Sequence, residues 1–215
     1  MLMLVLTIVF TKIGRDKDPL YPLYVLSGIL CWNVFSQGLL NGAHSIHSNG
    51  GLLKKVKVPQ WVFPSVAILS ALVNLIFALV PFIAVSFFVG LKLHFSLLFL
   101  PILLLLFFIF LLGIGLVVGT LNVMFRDIGH MLESGMLILF YSAPIAYPLS
   151  LVPERFQVFL HFHPVFYFLK GFRTVLCAYT FESFDWLMMV ILSASALGLG
   201  LFTHSKLKNR LFYYL

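Results

Sequence analysis

The chain has 215 residues, of which 61% are hydrophobic and only 10% are charged, and its mean hydropathy is +1.07. This composition excludes an ordinary soluble domain, in which about a quarter of the residues are charged, and indicates a membrane protein. The formal net charge is +7, but the basic residues are scattered among loops without interleaved aromatic residues. We therefore interpret them as orientation signals and lipid headgroup contacts, and we expect no nucleic-acid partner.

The first apolar segment, residues 1–13, is too short to cross a membrane. As a helix it would measure about 20 Å, which is about 10 Å less than the thickness of a hydrocarbon core. It also lacks the basic start and the small-residue cleavage site of a signal peptide. We expect it to be the outer half of a first membrane helix whose beginning precedes this sequence, so that the chain is truncated at its N-terminus.

Long uncharged runs predict five further membrane helices. Each run holds about 20 residues or more, which is the length that a membrane helix needs. The runs must be helical because an unpaired backbone group in hydrocarbon is very costly. The predicted helices cover residues 21–43, 61–90, 94–121, 130–147 and 185–204. The expected fold class is an all-α membrane protein, with residues 1–215 forming a single transmembrane domain.

A basic loop with the sequence GGLLKKVKVPQ, residues 50–60, separates the first two complete helices. With this loop on the cytoplasmic side, seven of the 14 Lys and Arg residues fall on each side of the membrane, so the total charge does not decide the orientation. Clustered basic residues next to helix ends carry more weight. They place the loop and the basic tail, residues 206–215, in the cytoplasm.

Residues 153–183 contain short apolar pieces that are rich in aromatic residues and interrupted at His163-Pro164 and Lys170-Gly171. The pieces are too short to span a bilayer. Irregular backbone at membrane depth persists only where protein or water satisfies it. The segment therefore predicts short re-entrant or interfacial helices that border a cavity.

The glycine pattern and the missing phosphate motif exclude ATP hydrolysis by this chain alone. The sequence contains no GxxxxGK[ST], so it has no phosphate-binding loop. Gly113, Gly115 and Gly119 follow the spacing GxGxxxG without a preceding strand, and we interpret them as small residues for helix packing.

Neither a metal site nor a catalytic site is indicated. The histidine pairs His44/His47 and His161/His163 have no acidic residue nearby in the same segment, and the two cysteines lack a metal-binding spacing. Because a metal site needs three or four oriented ligands, histidines at the membrane interface are the simpler interpretation. No serine lies in a nucleophile-elbow context and no buried acid pair occurs, so we expect no catalytic residue.

Two polar features remain open to two interpretations each. Arg126 and Asp127 at the inner end of a long apolar helix are either a solvated stop signal or a contact surface for a cytoplasmic partner. Aromatic residues make up 16% of the chain, and most are expected to face lipid or pack between helices. Those near polar neighbours, such as Trp32 and Tyr141, are explained most simply as part of an interfacial aromatic belt.

Three stretches carry a resemblance to a known family. They are YPLYVLSGILCWNVFSQGL at residues 21–39, NGGLLKKVKVPQWVFP at residues 49–64 and LNVMFRDIGHMLESGMLILFYSAPIAYP at residues 121–148, followed by the aromatic segment HFHPVFYFLKGFR at residues 161–173. Their order along the chain resembles the membrane subunits of type-2 ABC exporters that move O-antigen, capsule or other cell-surface polysaccharides, or teichoic acids.

The resemblance implies a permease in the cytoplasmic membrane with six membrane helices, the first of them partial here, and with re-entrant helices before the last span. It implies a homodimer with two cytoplasmic ATP-binding subunits, which would hold the ATP and Mg²⁺, so that this chain itself carries no cofactor. It also implies a coupling helix within residues 51–59. The coupling residues expected to contact the ATP-binding subunit are Lys54, Lys55, Val56, Lys57, Pro59, Arg126 and Asp127.

The resemblance further implies a substrate path lined by aromatic rings, which stack against the apolar faces of sugars. The positions expected to line it are Trp32, Phe35, Phe140 and Tyr141. Two other functions stay open at this point. One is an ABC permease that exports drugs or lipids, and the other is an intramembrane enzyme, which would require a nucleophile or metal cluster.

Overall fold

The structure is a computed structural model that describes residues 20–55, 58–90, 94–125, 127–145, 147, 152–177, 179 and 183–214. The side chains of residues 54, 154, 156 and 209–214 are outside this description. The predicted partial helix at residues 1–13 also lies outside the described residues.

The described part of the chain is helical and contains no strand. Its eight α-helices are α1 (Tyr21–Ser48), α2 (Gly50–Lys55), α3 (Val62–Val89), α4 (Leu100–Met124), α5 (Asp127–Ser142), α6 (Glu154–His161), α7 (Phe166–Cys177) and α8 (Ser183–Tyr214). A 3₁₀ helix, Phe95–Phe99, leads into α4. The predicted all-α membrane fold is confirmed.

Four helices in the described part are long and apolar enough to cross a membrane: Tyr21–Ser48, Val62–Val89, Phe95–Met124 and Ser183–Lys208. Proline and glycine set several of their ends. Pro22 and Pro101 lie at the start of α1 and α4, where a missing N–H costs least. Gly90 ends α3 with a φ of 83°, which is a left-handed conformation that favours glycine.

Several predicted boundaries are wrong. The helix expected at residues 130–147 is α5, which starts at Asp127 and ends at Ser142, with 16 residues. Pro144 explains the early end, because a proline disfavours helical backbone in the residue before it and cannot donate a hydrogen bond. At about 24 Å, α5 is shorter than a hydrocarbon core.

Two further predictions underestimated helix length. The basic tail after residue 206 is a continuation of α8, which runs to Tyr214. Two short helices, α6 and α7, form in the segment that is predicted to be re-entrant, and residues 162–165, which include His163-Pro164, separate them. Lys170-Gly171 lies within α7 and does not interrupt it, since Gly171 packs tightly against Leu103 and Met189.

The helices pack around α1, whose membrane-spanning window is 67% buried, against 28% or less for the other three spans. It contacts α3, α4, α5 and α7. The closest helix pair is α4 with α8, where Gly113 meets the backbone of Ala196 and Gly200. Gly119 likewise lies against the carbonyl of Gly42. The interpretation of these glycines as packing residues is confirmed.

The two ends of the bundle are distinguished by their contacts. At one end, called the loop end, α2 lies beside the end of α4 and the start of α3. α8 also reaches this end, where Nδ1 of its His204 lies 3.5 Å from Oγ1 of Thr120 on α4. The opposite end, called the far end, holds α6, α7 and the last residues of α5.

Candidate functional site

A short helix, α2, lies in the basic loop at the position where a coupling helix is predicted. Its Leu53 is 5% exposed and packs with Ile46 of α1 and Val123 of α4, while Phe63 and Met124 border this cluster. Lys55 is exposed on α2, and Pro59 is exposed after it. Leu53 therefore anchors a short helix that presents Lys55 to the outside of the bundle.

Asp127 lies at the same end of the molecule as α2. It is the exposed first residue of α5, a position where a carboxylate is favoured by the helix dipole. Three residues separate it from Val123, on which Leu53 packs. The described members of the predicted coupling set, Lys55, Pro59 and Asp127, thus share the loop end. The side chain of Lys54 and the residues Val56, Lys57 and Arg126 lie outside the described residues.

A buried amide connects three helices directly behind this surface. Asn122 on α4 is 4% exposed, and its Nδ2 donates to the carbonyl of Ala43 on α1 at 3.1 Å. The backbone N–H of Gly129 on α5 donates to its Oδ1 at 2.9 Å. A side chain at Gly129 would collide with His44. Asn122 therefore fixes the start of α5 relative to α1.

Histidine and glutamate form a polar group beside Asn122. His44 Nε2 lies 3.5 Å from Glu133 Oε1, and His130 Nδ1 lies 3.6 Å from Glu133 Oε2. Reasoning from the sequence found no acidic partner for His44 because Glu133 is distant in the chain and is brought close only by packing of α1 on α5. No group of three metal-ligating side chains occurs among the described residues.

The four predicted aromatic positions form one continuous chain of rings. Trp32 lies 5.4 Å from Phe35 and 5.4 Å from Phe140, and Phe140 lies 5.4 Å from Tyr141, each measured between ring centroids. Phe35 is 1% exposed and Trp32 is 8% exposed, whereas Tyr141 is 72% exposed. The rings thus lead from the core of the protomer to its surface, and Tyr141 is the member that offers a free face.

Arg173 at the far end is a functional candidate that the sequence reasoning treated only as a loop charge. It lies on α7, is 5% exposed, and its Cζ sits 3.6 Å from the centroid of the Tyr24 ring. Its Nη2 donates to the carbonyls of Pro144 at 2.6 Å and Ile145 at 3.0 Å. These carbonyls lie just after α5 ends at Ser142. Arg173 therefore holds the end of the helix that carries Phe140 and Tyr141.

His163, in the turn between α6 and α7, makes a second contact with the end of α5. Its Nε2 donates to the carbonyl of Leu139 at 3.1 Å, while the N–H of Val165 donates to its Nδ1 at 3.3 Å. One donating and one accepting nitrogen define the neutral ring. Burial lowers the pKa of His163, and the hydrogen bond to Leu139 opposes this effect only in part.

An ion pair joins α7 to the last membrane helix. Lys170 Nζ lies 3.2 Å from Asp185 Oδ1, and both side chains are largely buried. Asp185 is in the first turn of α8. α7 and the turn before it are therefore attached to the end of α5 and to α8 at the far end.

Comparison with known proteins places the chain among transporters. It matches the ABC-2 type transporter family over residues 1–177. It is 26% identical, over 205 and 206 residues, to two proteins from Klebsiella pneumoniae that are named O-antigen export system permease protein RfbA. Each alignment covers 94% of this chain and 78% of the relative. A protein of the same name from Myxococcus xanthus is 28% identical over 153 residues, which is 71% of this chain and 59% of the relative.

The family match extends from the start of the chain to the end of α7, so it includes α2, the ring chain and the two short helices α6 and α7. The four candidate spans agree with such a protein. The chain belongs to the ABC-2 type transporter family and is a multi-pass protein of the cytoplasmic membrane.

Proposed function

We propose that the protein is the permease subunit of an ATP-driven exporter that moves a lipid-linked polysaccharide across the cytoplasmic membrane. The observation that carries this proposal is the similarity to two O-antigen export permeases along 94% of the chain. A permease of this kind performs no covalent chemistry and needs only a path and a means of opening it. The absence of a phosphate-binding loop from the sequence agrees with this role.

The proposed partners are a second copy of the chain and two ATP-binding subunits, which would supply ATP and Mg²⁺. Support for the docking site comes from α2, which Leu53 anchors on α1 and α4. The exposed Lys55 would face acidic groups of the ATP-binding subunit, with Lys54, Val56, Lys57 and Pro59 completing the contact. Arg126 and Asp127, at the start of α5, would form its edge.

The proposed substrate path follows the exposed end of the ring chain. Tyr141 offers a flat apolar face and a hydroxyl, which suit the apolar face and the hydroxyls of a sugar. Phe140 and Trp32 support it from behind, and Phe35 fills the core beneath Trp32. In this conformation Phe35 contributes packing, and Trp32 would contact a glycan only if α5 moved.

The path and the docking surface are linked through α5. Asn122 and His44 contact its first half, whereas Arg173 and His163 hold its end. If the ATP-binding subunit displaced α2, the movement would be transmitted to Tyr141 through α5. ATP hydrolysis would therefore change the substrate path through movement of α5.

Deletion of the gene in the source bacterium tests the proposed function. We expect loss of one surface polysaccharide, with its lipid-linked form accumulating on the cytoplasmic side, and recovery when the wild-type gene is returned. The polymer on each side is measured after fractionation of the envelope. An unchanged surface polysaccharide together with altered drug resistance or lipid export would reject the proposal in favour of a drug or lipid permease.

A further inference from the structure

A cavity of about 460 Å³ at the loop end borders the proposed docking surface, with which it shares Pro59. The segment before α3 and the last turns of the spanning part of α8 form the walls of this open cavity. Its lining includes Pro59, Gln60, Trp61, His204, Ser205 and Lys208. Because α3 begins at Val62 and the span of α8 ends at Lys208, the cavity lies where two membrane helices reach the membrane surface.

Gln60 is the most informative residue of this cavity. Its side chain is 5% exposed, yet neither Nε2 nor Oε1 has a hydrogen-bond partner within the described structure. Buried amides in native proteins are almost always paired, since an unpaired one loses its hydration without compensation. A donor and an acceptor from outside the described residues would remove this penalty.

The surroundings of Gln60 define the chemistry of the missing partner. Lys208 contributes a cationic ammonium group, and Ser205 contributes a hydroxyl. The Trp61 ring is 49% exposed, as is common for tryptophan at a membrane surface, and Leu201 adds an apolar wall that is 51% exposed. A ligand for this site must combine a negative charge, a hydrogen-bond donor and an apolar portion.

We propose that this cavity binds the headgroup of an anionic glycerophospholipid. Its phosphodiester accepts from Gln60 Nε2 and neutralises Lys208, its glycerol hydroxyl donates to Gln60 Oε1, and its acyl chains lie along Leu201. The lipid would fasten the segment after α2 to the end of α8. This inference does not depend on the identity of the exported substrate.

Thermal unfolding of the purified, delipidated protein in detergent tests the site. Phosphatidylglycerol is expected to raise the unfolding midpoint of the wild type, while phosphatidylcholine, which has neither a net charge nor a headgroup hydroxyl, raises it much less. Gln60→Leu is expected to unfold at a higher temperature than the wild type without lipid, because it removes the unpaired amide. The same variant should lose the response to phosphatidylglycerol.

Charge variants separate the site from general attraction of lipid to basic protein. Lys208→Gln is expected to weaken phosphatidylglycerol binding about fivefold, as measured by native mass spectrometry, because one lysine near an anionic surface is worth about 1 kcal/mol. Lys206→Gln is the matched control, since Lys206 lies over the Phe202 ring and does not line the cavity. Gln60→Glu keeps the side chain polar and should abolish binding through repulsion.

Three results would overturn the inference. One is equal binding of phosphatidylglycerol by the wild type, Gln60→Glu and Lys208→Gln. Another is equal stabilisation by inorganic phosphate, which would assign the cavity to a soluble anion. The third is stabilisation that depends on Gln60 but comes from the ATP-binding subunit and from no phospholipid, which would make the cavity a protein contact.

Discussion

Arg173 is held by several contacts at once. A buried guanidinium keeps its charge only where acceptors replace water, and here the acceptors are two backbone carbonyls and the face of Tyr24. The space is tight as well, because a Cβ at Gly28 would lie 3.3 Å from Arg173 Nη2 and 3.2 Å from the Ile145 carbonyl. The non-helical turn after α5 and the arginine therefore stabilise each other.

Arg173→Ala should destabilise the protein by about 3 kcal/mol, because hydrogen bonds to a charged group contribute about 1.5–3 kcal/mol each. Denaturant unfolding in detergent measures this change. Arg155→Ala is the control, since Arg155 is exposed on α6, and surface substitutions usually change stability by less than about 0.5 kcal/mol. Equal stabilities of the two variants would show that Arg173 does not hold the turn.

His163 predicts a pH dependence at the far end. Burial lowers its pKa below the usual 6.5, so the folded protein binds this proton less readily than the unfolded chain does. Its stabilising contribution is complete above about pH 6.5 and is lost as the pH falls below that value. Protonation also places a hydrogen on Nδ1, which accepts from Val165.

The wild type is therefore expected to lose stability between pH 7.5 and pH 5.5 to a greater extent than His163→Gln, which cannot titrate. Unfolding midpoints at the two pH values measure the difference. Identical pH slopes for the two proteins would contradict this role of His163.

Tyr141 tests the proposed substrate path. Tyr141→Ala is expected to reduce export roughly fivefold, since one aromatic contact is worth about 1 kcal/mol, and Tyr141→Phe should retain most activity if stacking dominates. The control is Phe77→Ala on α3, because Phe77 is 71% exposed and Tyr141 is 72% exposed. The rate of polymer export is measured at matched protein levels. Full export by Tyr141→Ala would indicate that this ring faces lipid.

At the scale of elements, α2 shows how a six-residue helix is kept in place. So short a helix has little stability alone, and its position depends on Leu53 inserting beside Ile46 and Val123. Lys55 is exposed and does not belong to this apolar cluster. This separation makes the docking proposal testable by charge reversal.

Lys54→Glu combined with Lys55→Glu is expected to uncouple export from ATP hydrolysis while the protein still inserts into the membrane. The expected cause is repulsion between the new carboxylates and acidic groups of the ATP-binding subunit. Polymer export and substrate-stimulated ATP hydrolysis are measured together, with Lys206→Glu at the same end as the control. Normal export by the double variant would remove α2 from the docking surface.

The elements that could be predicted from the sequence are those set by local constraints. Uncharged length in hydrocarbon leaves helix as the only solution, so α1, α3, α4 and the spanning part of α8 were located correctly. Pro144 was also visible, but its effect on the end of α5 was not anticipated. The contacts of Asn122, Glu133 and Arg173 could not be predicted, because each pairs residues from distant parts of the chain.

At the scale of the whole molecule, the two ends of the helix bundle carry different features. The loop end carries α2 with its exposed Lys55 and the cavity at Gln60, while the far end carries α6, α7 and the buried contacts of His163 and Arg173. The start of α5 contacts Asn122, and Arg173 and His163 hold its end. The proposed docking surface can contact cytoplasmic ATP-binding subunits only if the loop end is cytoplasmic.

Cysteine labelling determines that orientation. Cys31 is fully buried, and burial raises the pKa of Cys177 to about 11, so neither native thiol should react appreciably near neutral pH. Single cysteines introduced at Lys55 and at Ser96 then report the loop end and the far end without removal of the native ones.

An impermeant maleimide added to spheroplasts is expected to label position 96 at once and position 55 only after the membrane is permeabilised. The clustered lysines of the loop favour this outcome, because the positive-inside rule weighs basic residues close to helix ends. Labelling of position 55 with protection of position 96 would invert the topology, and the docking surface and the proposed direction of export would then both have to be abandoned.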